Sequence, residues 1–276
     1  MNRETLYHYT DFMAFDGILS NRELRVNNVL NMNDAQEMEL FMTGIFRAAI
    51  ERLEKSGRED KARKLSALYE EEKKKFFEYS VYAACFSEYR DDAAQWDRYA
   101  YRGKGVCFGM KKAILEKMTG GAVSLQKVFY RDDMDSHPLV TEICSLVQDS
   151  DDVSVENGPL KTAVLKAWQN CASFKHPSFS SEREYRLVVM PFEAEDFSVK
   201  PRYHVARERI KKYYPLDLHA MCVQAGSSIE ELVTEIIIGP ESTQSIPILK
   251  DYLKDIGLPA LAGKVVHSDC PLRSKI

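Results

Sequence analysis

Cysteine is sparse and scattered. The six residues Cys85, Cys107, Cys144, Cys171, Cys222 and Cys270 include no Cys-x-x-Cys pair, and most have apolar neighbours. This spacing argues against a zinc site and a disulfide framework and predicts buried, reduced thiols. The chain also lacks any apolar run near the roughly 20 residues that span a bilayer. It opens Met1-Asn2-Arg3-Glu4-Thr5, without the apolar stretch of a secretory signal. The expectation is a cytoplasmic protein with no membrane association. Charge of one sign is missing too: 38 Lys and Arg against 42 Asp and Glu leave a net charge of -4. A wholly basic nucleic-acid binder is thereby disfavoured, although a local basic groove would not show in the total.

Several common catalytic signatures are absent. There is no Gly-x-x-x-x-Gly-Lys-Ser/Thr loop, no Gly-x-Gly-x-x-Gly turn, no His-Glu-x-x-His and no Gly-x-Ser-x-Gly elbow. P-loop ATPases, Rossmann enzymes, zincins and α/β-hydrolases are therefore poor matches. Internal repeats and low-complexity segments are absent as well.

What is present is ordinary globular material, 45% hydrophobic and 29% charged, enough for one large core over residues 1–276. Thr5 to Thr10 reads as a strand, and Asp11 caps a helix that carries Phe12, Phe15, Ile18 and Leu19 and continues towards Leu24. A helical insertion at about 35–79 follows, as two helices from Asp34 to Leu53 and from Arg58 to Tyr79, turned by Ser56-Gly57. Its Glu70 to Lys75 run carries both signs and reads as a solvated face. Further strands are expected at Ser80 to Ser87, Val106 to Gly109, Val123 to Tyr130, Glu184 to Met190, Tyr213 to Leu218, Glu235 to Ile238 and Lys264 to His267. Further helices start at Asp91 or Asp92, Pro138, Leu160 and Thr243, and Asp149 to Gly158 is the candidate mobile loop. Strands arrive in pieces between helices and tight turns, without regular βαβ alternation. That predicts an α+β fold with a mixed sheet core and flanking helices.

Four polar segments stand out. Leu6-Tyr7-His8-Tyr9-Thr10 puts a histidine near a strand end just before a helix, where ligand polar groups are common. Its plainer interpretation is a core edge with satisfied polar atoms. Asn31-Met32-Asn33-Asp34-x-x-Glu37 is best explained as a helix cap, with Glu37 completing a capping box. Cys85-Phe86-Ser87-Glu88, then Asp91, Gln95, Trp96 and Tyr99, is a strand ending in a hydroxyl followed by a helix that presents an amide and two aromatics; core packing explains Trp96 and Tyr99 equally well. Finally, in Phe174-Lys175-His176-Pro177 to Arg186, strand periodicity puts Glu182 and Glu184 on one face, where repulsion raises at least one carboxyl pKa unless a cation or ligand compensates. The plainer alternative is a strand showing Arg and Glu to solvent.

On the segments YHYT, NMND, FSE-x-x-D-x-x-x-QW-x-x-Y, GKGVCFG, FKHPSF-x-x-EREYR and EIIIGP, in that order, the chain is identified as a member of the bacterial proteins grouped as domain of unknown function 2971. That grouping carries no activity. More distantly, His8 on a first strand, Ser87 with Tyr99 centrally and a late Glu182-x-Glu184 resemble the ADP-ribosyltransferase superfamily. The chain combines features of two of its standard subgroups.

That resemblance implies an ADP-ribosyltransferase-like fold, NAD as the substrate cofactor and a macromolecular acceptor, protein or nucleic acid, as befits a toxin or phage-defence effector. An inhibitory partner protein fits such biology. Glu184 would stabilise the oxocarbenium-like sugar, and His8, with Thr10 nearby, would bond the ribose hydroxyls. Tyr99 or Trp96 would stack on nicotinamide, and Ser87 would keep the carboxylate or ribose in register. Tyr9 and Gln95 complete the implied binding set, while Glu182 would position or deprotonate the acceptor. A nucleic-acid acceptor would need a basic groove, for which Arg102, Lys104, Lys175 and Arg186 are candidates. Two other readings compete: an inert nucleotide-binding sensor, and a nuclease holding Mg²⁺ with Asp34, Glu88, Asp91 and Glu184.

Overall fold

Leu6 and Tyr9 are buried along the first strand, β1 (Thr5–Thr10), and Asp11 then caps α1 (Phe12–Ser20) by accepting the Ala14 amide at 2.7 Å. The computed structural model describes residues 4–29, 36–74, 80–131, 133–154, 158–191, 197–205 and 209–272. Contrary to the sequence expectation, α1 stops before Leu24. Arg22 takes a positive φ of 56°, its guanidinium bonds the Leu19 and Ile256 carbonyls, and Glu23–Asn28 forms β2. Buried Leu24, Val26 and Asn28 alternate there with Glu23, Arg25 and Asn27, a strand period that the preceding helical pattern hides.

The helical insertion consists of α2 (Gln36–Lys55) and α3 (Glu59–Lys74). The chain continues through β3 (Tyr82–Ser87), α4 (Ala93–Tyr99), β4 (Val106–Lys111), α5 (Lys112–Lys117), β5 (Val123–Lys127) and β6 (Phe129–Tyr130). Next come α6 (Pro138–Asp149), α7 (Gly158–Cys171), β7 (Phe174–Lys175), a 3-10 turn at Pro177–Glu182, and β8 (Glu184–Val189). The last third holds β9 (Arg202–Val205), β10 (Ile210–Asp217), α8 (Leu218–Gln224), α9 (Ile229–Leu232), β11 (Val233–Ile238), α10 (Ile246–Asp255) and β12 (Val265–His267). The single strand expected from Val123 to Tyr130 is two: β5 pairs β8, whereas β6 pairs β7 in a separate ribbon.

The main sheet runs β12-β11-β4-β1-β3-β2-β10-β9, with β8 and then β5 attached to the other edge of β3. Parallel β11–β12 and antiparallel neighbours make it mixed, so the fold is α+β with flanking helices. The sheet forks at β3. One edge of β3 pairs with β8 from Tyr82 to Ser87; the opposite edge is shared, with β2 holding Tyr82 and Ala83 and β1 meeting it only at Ser87. Between those holds, Ala84 to Phe86 have no strand partner on that side.

Alternation of side chains across the sheet separates the cores. One face buries Leu24, Tyr82, Phe86, Leu187 and Leu216 with Phe15 and Leu253. The other face packs Ala83 and Val188 under α2, α3, α6 and α7, and packs Tyr7, Tyr9, Cys107 and Ile237 against Trp96 of α4. All six cysteines are free thiols; Cys107, Cys144, Cys171 and Cys222 are buried, Cys85 and Cys270 only partly.

Two glycines of the GKGVCFG and EIIIGP segments hold the α4–β4 turn against β11. A Cβ on Gly105 would lie 2.2 Å from the Thr10 carbonyl oxygen, and one on Gly239 would lie 2.3 Å from that of Gly103. Backbone cannot yield as a side-chain tip can, so Gly105→Ala is expected to cost about 3 kcal/mol of stability, read as a lower urea midpoint at unchanged slope.

Candidate functional site

The fork in the sheet opens a cavity of about 390 Å³, within the range of small-molecule pockets. Tyr7 to Thr10 of β1, Leu24, Arg25 and Asn27 of β2, and Ala83 to Ser87 of β3 form its walls. Gln95 and Tyr99 of α4, then Lys175, Glu182, Glu184 and Arg186, close one end; His204, Lys211 and Tyr213 line the other. His8 and Glu184 therefore both line this cavity, His8 from the Phe86 side of the sheet and Glu184 from the Ser87 side.

His8 reaches into the fork. Its Nδ1 lies 2.8 Å from the Cys85 carbonyl oxygen, in the stretch of β3 that, among the described residues, lacks a strand partner on the β1–β2 side. A carbonyl only accepts, so Nδ1 carries the proton and Nε2 presents a lone pair. The ring packs against Phe86 at 5.5 Å, and burial holds its pKa below the ordinary value, the Cys85 bond opposing that shift. The imidazole is neutral at pH 7.

The carboxylate end is built by a break in the strand. Glu182 ends the 3-10 turn, and Arg183 adopts a left-handed φ of 43° before β8 begins at Glu184, so the two glutamates do not lie on one continuous strand as periodicity suggested. They meet across Lys175 instead, whose Nζ is 2.6 Å from Glu182 Oε2 and 3.4 Å from Glu184 Oε2. Arg186 grips Glu184 with Nε on Oε1 at 2.9 Å and Nη2 on Oε2 at 3.0 Å. Glu182 Oε1 accepts from Arg98 at 2.9 Å and from the Tyr99 hydroxyl at 3.0 Å.

Lys175, Glu182, Glu184 and Arg186 are each under 8% exposed, so desolvation alone would neutralise these carboxylates. The cations overcome it. Burial pushes the Glu184 pKa up, but Arg186 and then Lys175 pull it down further, to about 2. The repulsion expected of two neighbouring carboxylates unless a cation compensates is met by such cations, Lys175 and Arg186, which belong to the protein. The same contacts remove Lys175 and Arg186 from any basic groove for nucleic acid.

The remaining residues divide. Ser87 Oγ donates to the Glu182 carbonyl at 2.9 Å and accepts from the Tyr89 amide at 3.1 Å, so it secures the Glu182 backbone rather than a carboxylate. Tyr9 and Thr10 line the cavity, the Tyr9 hydroxyl donating to the Tyr89 carbonyl at 2.9 Å, and Gln95 is buried in the wall. Tyr99 keeps exposed ring surface there. Trp96 does not reach the cavity: it is fully buried, edge-on to Tyr9, with Nε1 donating to Asp91 at 2.5 Å, and so cannot stack on a ligand as the resemblance implied. Sequence reasoning missed Arg25 and His204 because it recognised neither β2 nor β9, and Lys211 because it began β10 only at Tyr213.

The carboxylates considered for a metal have other work. Glu88 pairs with Lys127 at 3.3 Å, and Asp91 also accepts from Ser268 Oγ and the Asp269 amide, at 2.6 and 2.7 Å, anchoring the C-terminal segment. Asp34 and the Asn31 to Asp34 cap lie outside the described residues, as does the Glu37 side chain. Among the described residues no group of three or more His, Cys, Asp or Glu is placed to hold a metal ion, and no helix is long and apolar enough to cross a membrane.

Comparison with curated proteins and with solved structures found no match, so the ADP-ribosyltransferase resemblance gains no support from either. The family model described as "Protein of unknown function (DUF2971)" matches residues 95–187. That span takes in Tyr99, Lys175, Glu182, Glu184 and Arg186 but not His8 or Ser87; over it, from α4 to β8, the chain is similar to that family.

Proposed function

We propose that the cavity binds NAD and that the protein transfers ADP-ribose from it to a macromolecular acceptor, the chemistry of a toxin or phage-defence effector on an ADP-ribosyltransferase-like fold. One observation carries this reading: a neutral imidazole whose Nε2 presents a lone pair and a carboxylate ionised at pH 7 line one cavity. Breaking the nicotinamide–ribose bond leaves positive charge on the sugar, and a fixed, dehydrated carboxylate stabilises it without reorganising.

Glu184 suits that role. A carboxylate has about four acceptor positions; Arg186 takes two and Lys175 one, while the Cys85 thiol, a weak donor that a ribose hydroxyl outcompetes, also bonds this group. His8 Nε2 accepts from a second hydroxyl, and the Tyr99 ring offers its face to the cationic nicotinamide. Glu182 is tied to Lys175, Arg98 and Tyr99, and of these Arg98 is the half-exposed partner that an incoming acceptor displaces.

The test is incubation with NAD labelled on its adenylate half and a host lysate, scoring free nicotinamide and label on protein and on nucleic acid separately. Nicotinamide release with transferred label is the expected result. Saturable NAD binding without release would replace the transferase with a nucleotide sensor.

A further inference from the structure

The end of the cavity away from Glu184 is cationic. Register sets Pro215 opposite Arg25 and His204 opposite Lys211, and residues two apart share a face, so Arg25, His204, Lys211 and Tyr213 stand on one side of the sheet. Through Asn27 opposite Ala83, and Ser87 opposite Glu184, this is the side that carries Glu184 and Arg186. A single sheet face thus runs from the carboxylate cluster to these cations.

The cations at the two ends differ in what they hold. Arg186 is committed to Glu184, and Arg202, on the outer strand, pairs with Glu23 at 2.8 Å. Among the described residues Arg25 and Lys211 have no carboxylate within ion-pair distance. The Arg25 guanidinium lies over the Tyr213 ring instead, 5.1 Å from its centroid, which fixes its position without neutralising it. Gly17 leaves space for it: even a Cβ there would come within 3.4 Å of Arg25 Nη2. A positioned guanidinium and a second cation without a carboxylate partner, on one cavity wall, favour an anion, and an arginine fork suits phosphate oxygens.

We propose that Arg25 and Lys211, with His204 beside Lys211, form a subsite for a phosphoanhydride, which sets the direction of the ligand: diphosphate on the β2–β10 wall, ribose at Glu184. The assignment rests on the cavity being the NAD site but not on cleavage taking place. Nucleic-acid backbone phosphate offers the same chemistry, and the experiment separates the two sources.

The whole chain is titrated calorimetrically with inorganic pyrophosphate, ADP-ribose and a short single-stranded oligonucleotide, as wild type, Arg25→Gln, Lys211→Gln and Arg25→Lys. Each glutamine variant is expected to lose about tenfold in affinity for pyrophosphate and ADP-ribose, with partial recovery in Arg25→Lys. Urea midpoints identify any variant that is merely unfolded, and half-exposed Lys211 tolerates substitution if Arg25 does not. Unchanged ADP-ribose affinity in folded glutamine variants overturns the subsite, as does a loss confined to the oligonucleotide. Charge-dependent ADP-ribose binding by a protein that never releases nicotinamide upholds the subsite and removes the transferase; nicotinamide release with affinity indifferent to Arg25 and Lys211 does the reverse.

Discussion

Arg186→Met is expected to lower the unfolding free energy at pH 7 by about 3–5 kcal/mol, the usual cost of stranding one member of a buried ion pair. The side chain makes both bonds to Glu184 and a third, from Nη1 to the Ala172 carbonyl at 2.8 Å, so methionine fills the space but leaves the carboxylate to Lys175 alone. The pH dependence identifies the cause. Glu184 has a folded pKa of about 2 against an ordinary value of 4.5, so the wild-type contribution is fully present above pH 4.5 and is lost as the pH falls towards 2. Without Arg186 the folded pKa rises, and the gap between variant and wild type narrows in acid. Urea titrations at pH 7 and pH 3 measure both effects; an unchanged midpoint at pH 7, or a gap that does not narrow at pH 3, would contradict the proposed energetics.

Sequence periodicity disclosed most of the framework, and the places where it failed share a physical character. Asp11 at the start of α1, and the apolar spacing of Phe41, Ile45 and Ala49 in α2, are local signals with local consequences. β2 was hidden because Leu24 extends the helical spacing of Ile18 and Leu19, and only the pairing of Val26 with Tyr214 on a distant strand settles its state. β9 has four exposed residues, too few for the alternation of Tyr203 and Val205 to mark a strand. Arg25 and His204 stayed out of view along with those strands, and Lys211 because β10 was read only from Tyr213.

The candidate site was legible as a set of segments but not as a charge arrangement. His8, Ser87, Glu182 and Glu184 stand out by residue type. Lys175 stood out only as a possible groove residue, although it lies between the two glutamates and decides their ionisation. The signal was a lysine at the end of the mostly apolar segment Cys171 to Lys175, where burial demands a counter-charge. Trp96 failed in the opposite direction: an aromatic next to polar residues suggested a stacking platform, whereas Asp91 satisfies its one polar atom and the rest is core.

Glu184→Gln is expected to reduce nicotinamide release by about 10²- to 10³-fold, the scale of removing one preorganised electrostatic group. The ion network argues for a folding cost as well. Gln keeps the shape and can still accept from Arg186, but its amide NH₂ faces Arg186 and Lys175, and the buried cations lose half of their counter-charge. A loss of about 1–3 kcal/mol in stability is therefore expected together with the loss of turnover. The two effects separate experimentally, because turnover is compared below the unfolding transition of the variant, with ADP-ribose binding confirming that the cavity is intact. Glu182→Gln is the matched control: its carboxylate meets Lys175, Arg98 and Tyr99 but not Arg186, so it should impair transfer to the acceptor more than nicotinamide release into water. Full nicotinamide release by folded Glu184→Gln would leave its carboxylate as no more than the counter-ion of Arg186.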